Sequence, residues 1–266
     1  MKTALQRLGF LAAAALVLGL AGTPASPPSL NEHAVMSVLW YQTSAEMRAI
    51  SHQTFQFARF LIDEYDAKNP KSSRGRAVVV DVDETVLDNS PHSAKMILEN
   101  KTFPFAWTEW VNRAEAEALP GSVEFLNYAV SKGYDIFYVT NRQAPEEYAG
   151  TARNLQLRGF PQADSVHILL KTTESSKKAR RDRIRKTHDI VLLIGDNLND
   201  HASVFEKKSI QKRMEEVDRL RAEFGTRYLV LPNPMYGEWE GAVYGYQWGA
   251  SAEEKDRMRK EALKSF

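Results

Sequence analysis

The chain has 266 residues, 43% of them hydrophobic, with 35 basic residues against 34 acidic and no cysteine. That length supports one full domain with a sizeable core and a small appendage. The balanced charge excludes the electrostatic footprint of a nucleic-acid polymer binder. The missing cysteines exclude disulfides and a lipid-modified cysteine anchor.

The N-terminus reads as a targeting segment. Lys2 and Arg7 give a positive start, and residues 8–21 form an apolar run too short for a comfortable membrane span. Gly22, Thr23, Pro24 and Ala25 supply the small residues of a cleavage site. Residues 1–25 are therefore expected to be a secretory signal peptide, and the product to be exported, to a periplasm or the medium, without a lipid anchor.

Residues 26–75 are expected to hold N-terminal helices and a linker. Ala34, Val38, Tyr41 and Ala45 keep a helical spacing, as do Phe57, Phe60, Leu61 and Tyr65. Residues 68–75 are polar and turn-rich. Over 76–250, strands and helices alternate. Residues 77–82 form a short β-branched run without alternation, as a buried central parallel strand does. An insertion at 89–120 carries the aromatics Phe103, Phe105, Trp107 and Trp110.

Further strands are predicted at 134–140, 165–170, 189–194 and 227–231. Helices are predicted at 121–131, 145–158, 175–186 and 210–224, with a charged helix closing the chain within 251–266. The pattern predicts an α/β fold: a doubly wound parallel sheet with helices on both faces. A small helical and irregular subdomain, built from the N-terminal helices, the 89–120 insertion and the C-terminal region, joins it.

Ligands of such sheets lie beyond the carboxyl ends of the strands. There the first strand delivers Asp81 and Asp83, the second Thr140, Asn141 and Arg142, and the fourth Asp196, Asn197 and Asp200. Four aspartates at one edge repel one another unless a cation sits among them. All-oxygen donors suit a hard ion, Mg²⁺ above all. Glu84 and Asp88 are expected to tie the loop to backbone groups. Arg142 is expected to pair with a site carboxylate or to cap a turn.

DVDETVLDNSP, FYVTNR, SSKKAR, GDNLND and LPNPMYGEWEG, in that order, resemble the haloacid dehalogenase (HAD) superfamily. Within it, they resemble the class C acid phosphatases, which include bacterial outer-membrane 5′-nucleotidase lipoproteins. The resemblance implies a HAD-like fold and a Mg²⁺-dependent phosphomonoesterase acting on small esters such as nucleoside monophosphates. In it Asp81 is the nucleophile that forms an aspartyl-phosphate, and Asp83 is the general acid and base. Asp81, the backbone carbonyl of Asp83, Asp196 and Asp200 hold the metal. Thr140, Asn141 and Lys177 bind the phosphoryl group.

Trp107 and Tyr236 fall where the resembling nucleotidases stack the base, and stacking tolerates many bases. His92 replaces a usual tyrosine and is expected near the mouth of the site, with Arg142 also facing substrate. His201 is expected to fill a packing position. The insertion is too short for an independent cap domain, so an open site is expected. A phosphotransferase of the same fold, or a binding protein on the same scaffold, stands as the alternative. Plant storage proteins of this resemblance can lose the nucleophile; here all four aspartates are present. A homodimer is left open.

Overall fold

The computed structural model describes residues 30–69 and 74–266. The expected signal peptide and the middle of the 68–75 connector lie outside the described residues. In chain order the named elements begin with α1 (Val35–Thr43), α2 (Ala45–Lys68), β1 (Gly75–Val80), β2 (Leu87–Asp88), α3 (Ser90–Leu98), α4 (Trp107–Arg113) and β3 (Glu117–Ala118). They continue with α5 (Ser122–Ser131), β4 (Tyr134–Gln143), α6 (Tyr148–Leu157), β5 (Ile168–Lys171), α7 (Lys178–Arg185) and β6 (His188–Gly195). The chain closes with α8 (Leu198–His201), α9 (Ile210–Arg219), β7 (Tyr228–Val230), α10 (Glu238–Val243) and α11 (Ala252–Glu261).

Five strands form one sheet in the order β5-β4-β1-β6-β7, and every adjacent pair is parallel. From β1 the chain winds outward through β4 to β5, then returns to the other side for β6 and β7. The strand order therefore reverses between β1 and β6, the crevice where such sheets bind ligands. Val78, Val80, Ile136, Tyr138, Leu192 and Ile194 point into the larger core with Phe55, Ile62, Phe125 and Leu155 from the helices. Ala77, Val79, Phe137, Val139 and Leu193 point to the opposite face, against Ile184 of α7. With both faces covered, β1 has no polar side to show, which explains its unbroken apolar run.

Ser44 separates α1 from α2. Its backbone is extended and its side chain accepts the Met47 N–H, capping α2. Along α2, Met47, Ser51, Phe55, Ala58 and Ile62 are buried, a stripe at helical spacing that faces the core. The insertion at 89–120 consists of α3, α4 and their connections. It is closed at its base by the antiparallel pair β2–β3.

Several element ends differ from expectation by a few residues. The third strand starts at Ile168 rather than 165, because Asp164 Oδ1 accepts the N–H groups of Val166 and His167 and holds a turn there. The helix expected over 210–224 ends at Arg219. β4 runs past 140 to Gln143, and its register with β5 jumps from Val139↔Leu169 to Gln143↔Lys171. Residues 140–142 thus bulge at the sheet's active edge, which re-aims their side chains.

Phe55 is fully buried against Phe125 (ring centroids 5.9 Å apart), while Phe60 on the outer face of α2 is 55% exposed. Phe55→Ala should lower unfolding free energy by about 3–5 kcal/mol, and Phe60→Ala by less than about 1 kcal/mol. Urea denaturation of the two variants checks this; equal losses would mean that α2 presents a different face to the core.

Candidate active site

β1 ends at Val80 and the chain turns at once. Val82 is buried, and its carbonyl accepts the N–H groups of Val86 and Leu87 at 3.0 and 2.9 Å. This tight loop turns Asp81 and Asp83 into the crevice. Glu84 sits in the left-handed region at φ 55, a conformation that costs a non-glycine residue about 1 kcal/mol or more. Its surroundings fix it there. Its N–H donates to Leu87 O, its carbonyl accepts from Tyr41 Oη, and its Oε1 accepts the Asn89 N–H at 2.8 Å. Burial, helped by Asp83 and Asp196, pushes Glu84 well above the usual carboxylate range. Asp88 Oδ1 accepts the Ser90 N–H, so both acids do tie the loop to backbone.

Asp81, Asp196 and Asp200 converge from β1 and from the turn after β6. One carboxylate oxygen from each lies within 4.8 Å of the others. Lys177, buried just before α7, donates to Asp81 Oδ1 and Asp200 Oδ1, each at 2.5 Å. Burial disfavours its ammonium, but Asp200 and Asp81 outweigh burial and hold its pKa above the ordinary value. Asp81 is pushed up to about 7, by burial first, with Lys177 opposing and Asp200 and Asp83 adding to the rise. Asp196 is raised well above the usual range by burial, then by Asp200 and Asp81.

Among the described residues Asp196 is the member with no cation in hydrogen-bond contact: its partners are the Asn233 amide at 2.8 Å and the Thr85 hydroxyl at 3.4 Å. A buried anionic cluster short of positive charge, with only oxygen donors, fits a hard divalent cation.

Asp200 is placed by a capping box on α8. Its Oδ2 accepts the Asn197 N–H while Asn197 Oδ1 accepts from Asn199. Gly195 lies against it so closely that a Cβ there would sit 2.5 Å from Asp200 Cβ and Oδ2.

Asp83 belongs to a second set of partners. Thr140 Oγ1 donates to its Oδ2 at 3.1 Å; Arg142 Nε and Asn89 Nδ2 each donate to its Oδ1 at 2.9 Å. Arg142 is buried and pairs with the site carboxylate, the first of the two roles expected for it. The Arg142 N–H donates to Thr140 Oγ1, so the single hydroxyl proton of Thr140 is directed at Asp83. In this geometry Thr140 orients the acid; contact with a phosphoryl oxygen requires its hydroxyl to turn. Asn141 is exposed, and its Oδ1 accepts from Arg180, which also holds the Thr140 carbonyl.

The expected substrate side chains are distributed unevenly. Trp107 opens α4, donates its indole N–H to Glu147 and lies 5.6 Å under the Arg142 guanidinium. Tyr236 is 37% exposed, in the loop whose Asn233 holds Asp196. His92 requires a correction. It lies on α3 rather than at an open mouth, is buried, and meets Trp107 edge-on at 5.1 Å, with Nε2 2.8 Å from Phe105 O. Burial lowers its pKa, and the ring backs Trp107 instead of facing substrate. His201 fills a packing position, buried against Tyr228 and bonded to the Leu229 carbonyl. Asn89, Glu147, Arg180 and Asn233 were not singled out from the sequence, although DNSP and LPNP carry two of them.

The family described as HAD superfamily, subfamily IIIB (acid phosphatase), matches residues 13–239. Among solved structures, the class C acid phosphatase from Bacillus anthracis is 45% identical with a TM-score of 0.86, covering 90% of this chain and 100% of that one. The same enzyme with tungstate bound is 44% identical with a TM-score of 0.85, at the same coverage. The chain is also similar to two Glycine max proteins. The Stem 31 kDa glycoprotein is 29% identical over 162 residues, 58% of this chain and 57% of that protein. The Stem 28 kDa glycoprotein is 27% identical over 205 residues, 73% of this chain and 69% of that protein. The chain thus spans 57% of the length of the first plant relative.

The close approach at Gly195 generates a test. Gly195→Ala should force Asp200 and α8 outward and cost about 1–3 kcal/mol of stability. Thermal melting checks it; an unchanged melting temperature would mean that Asp200 does not press on the β6 backbone.

Proposed function

The chain belongs to subfamily IIIB of the HAD superfamily, the acid phosphatases, and from that premise we propose that it hydrolyses small phosphomonoesters through an aspartyl-phosphate. The observation that carries this reading is the convergence of Asp81, Asp196, Asp200 and Lys177 in the crevice between β1 and β6. A nucleophilic carboxylate there has its own cation, and a neighbouring acid, Asp83, has a separate partner set.

Asp81 attacks phosphorus as the bond to the leaving oxygen breaks, and Asp83 gives that oxygen a proton. Asp83 then takes a proton from water as the water oxygen attacks phosphorus, releasing phosphate and restoring Asp81. Lys177 has three ammonium protons, of which two are directed at Asp81 and Asp200. The third is free for an equatorial phosphoryl oxygen. Asp81, the Asp83 carbonyl, Asp196 and Asp200 would hold Mg²⁺. When bound, the ion offsets the charge between an anionic nucleophile and an anionic phosphate. The similarity to an enzyme solved with tungstate, a tetrahedral oxyanion like phosphate, supports the same reading.

Nucleoside monophosphates are the proposed substrate class. Trp107 and Tyr236 support it, because each rides on a segment tied to a catalytic carboxylate. Trp110 on the same helix as Trp107 donates to Asn89, which holds Asp83; Asn233 in the loop of Tyr236 holds Asp196. Among the described residues no helix is long and apolar enough to cross a membrane. With the N-terminal signal pattern, this fits an exported enzyme that strips phosphate from nucleotides outside the cytoplasm.

Phosphate release from p-nitrophenyl phosphate, AMP, GMP, UMP and glucose 6-phosphate tests the function. Turnover should require Mg²⁺, stop with EDTA, favour nucleotides and fall more than about a thousandfold in Asp81→Asn. Flat rates across the monoesters would reduce Trp107 and Tyr236 to packing; no turnover of any ester would overturn the enzyme reading.

The metal site has a thermodynamic test as well. A carboxyl with a raised pKa is neutral in the fold where the unfolded chain has it ionised. Asp81 therefore subtracts stability from the metal-free protein as pH rises from 3.8 to about 7. Mg²⁺ competes with protons for the same oxygens. Saturating Mg²⁺ should raise the melting temperature more at pH 7 than at pH 5, and equal gains would argue for a cation bound elsewhere.

A further inference from the structure

Asp83 has an asymmetric hydrogen-bond environment. Its Oδ1 accepts two N–H groups, from Arg142 Nε and Asn89 Nδ2, each at 2.9 Å. Its Oδ2 accepts one hydroxyl, from Thr140 at 3.1 Å. A carboxylate oxygen has two lone-pair positions in the plane of the group. Oδ1 is therefore filled and Oδ2 has one position open. The orientation of the Asn89 amide is settled by its neighbours. Its oxygen accepts from Trp110 Nε1 at 2.8 Å and from Arg142 Nη2 at 3.2 Å, so its nitrogen must be the atom facing Asp83.

Arg142 is the junction of this arrangement. It is 1% exposed, and its three guanidinium nitrogens reach three different partners: Nε to Asp83, Nη1 to Thr151 Oγ1 at 3.2 Å, and Nη2 to Asn89 Oδ1. Thr151 is anchored on the Glu147 carbonyl, and Glu147 accepts from Trp107 Nε1 and Thr108 Oγ1 on α4. The Trp107 ring lies under the same guanidinium. One buried cation thus connects the proposed acid to the helix that carries the proposed base-stacking tryptophan.

We propose that Arg142 is a positioning residue which occupies Oδ1 of Asp83 and so makes Oδ2 the oxygen that passes the proton to the leaving group. The inference rests on the phosphatase reading above and deepens it. As Asp81 bonds to phosphorus and the ester bond breaks, the Oδ2 proton goes to the departing oxygen and the carboxylate is left paired with Arg142. Without the guanidinium, Oδ1 regains a free lone pair, and the proton is shared between an oxygen aimed at the leaving group and one aimed into the α4 network. The fork also fixes the plane of the carboxylate, which a lysine ammonium cannot do.

The diagnostic is the leaving group. An alkoxide, such as the 5′-oxygen of a nucleoside, leaves only if protonated, whereas p-nitrophenolate leaves without help. The ratio kcat/KM reports the steps up to departure of the alcohol, so slow hydrolysis of the aspartyl-phosphate cannot mask the effect. With the Mg²⁺-loaded full chain, Arg142→Ala should lower kcat/KM for AMP by about 100-fold or more. The loss for p-nitrophenyl phosphate should stay below about tenfold. Millimolar guanidinium should restore AMP cleavage in that variant, with urea as the control; Arg142→Lys should not restore it.

Because Ala at a buried cation site can disrupt folding, Trp110→Phe gives an independent reading. It removes the indole N–H that orients Asn89, together with part of the ring, while leaving Arg142 in place, and should lower kcat/KM for AMP several-fold with a much smaller change for p-nitrophenyl phosphate. Equal losses on both esters in either variant, or a loss confined to KM, would overturn the inference and make Arg142 a structural or phosphate-binding residue. A wild-type chain inactive on both esters would instead overturn the phosphatase reading itself.

Discussion

Three carboxylates within 4.8 Å of one another at the end of a buried strand carry a standing electrostatic cost, and much of the fold is arranged around it. Lys177 relieves two of them directly, but among the described residues Asp196 hydrogen-bonds only to a hydroxyl and an amide. The groups that hold this cluster come from β1, from the turn after β6, from the start of α7 and from the loop after β7. No local stretch of chain could assemble them. It takes the reversal of strand order between β1 and β6 to bring Asp81 beside Asp196, and the Asp81 N–H seals that seam by donating to the Ile194 carbonyl at 3.0 Å.

The crevice divides its acids between two environments. Asp81 and Asp200 share an ammonium, a compact charge that holds them by proximity. Asp83 is held by a planar guanidinium, an amide and a hydroxyl, which fix its orientation. A nucleophile must lie on the axis of the breaking bond with its charge balanced. A proton donor must present one chosen oxygen. The two partner sets suit the two roles proposed for Asp81 and Asp83, and among the described residues they share no donor. Glu84, one residue further on, is buried; burial raises its pKa, and its Oε1 accepts the backbone N–H of Asn89, whose side chain holds Asp83.

Much of this was legible in the sequence because the signals are local. Unbroken β-branched and apolar runs mark strands buried on both faces, and carboxylates directly after such runs mark their outlet. The order of five motifs then implied the family. Less legible was whatever depends on contacts far along the chain. Asn89 bonds residues 83, 110 and 142, and Asn233 bonds Asp196 across 37 positions, yet each reads in sequence as an ordinary turn asparagine. The bulge at 140–142 is likewise invisible, because it is a change of register against β5, a strand 25 or more residues further along the chain. His92 was misplaced for the same reason. Its position beside DNSP indicates proximity to the site, but only the fold of α3 against Trp107 determines that it faces inward.

The 89–120 insertion shows how a segment too small to fold alone is still made rigid. α4 has seven residues and α3 nine, both below the length at which isolated helices persist in water. The segment instead takes its order from the site it covers: the β2–β3 pair at its base, the Trp110–Asn89–Asp83 chain at its centre, and Glu147 gripping Trp107 and Thr108 at its far side. Its aromatic surface and Asp83 therefore belong to one hydrogen-bonded network. On the proposed reading, a nucleotide base that shifts Trp107 would pull, through the Arg142 and Asn89 links, on Asp83. Selectivity and chemistry in such a site are two readings of the same network rather than two separable modules.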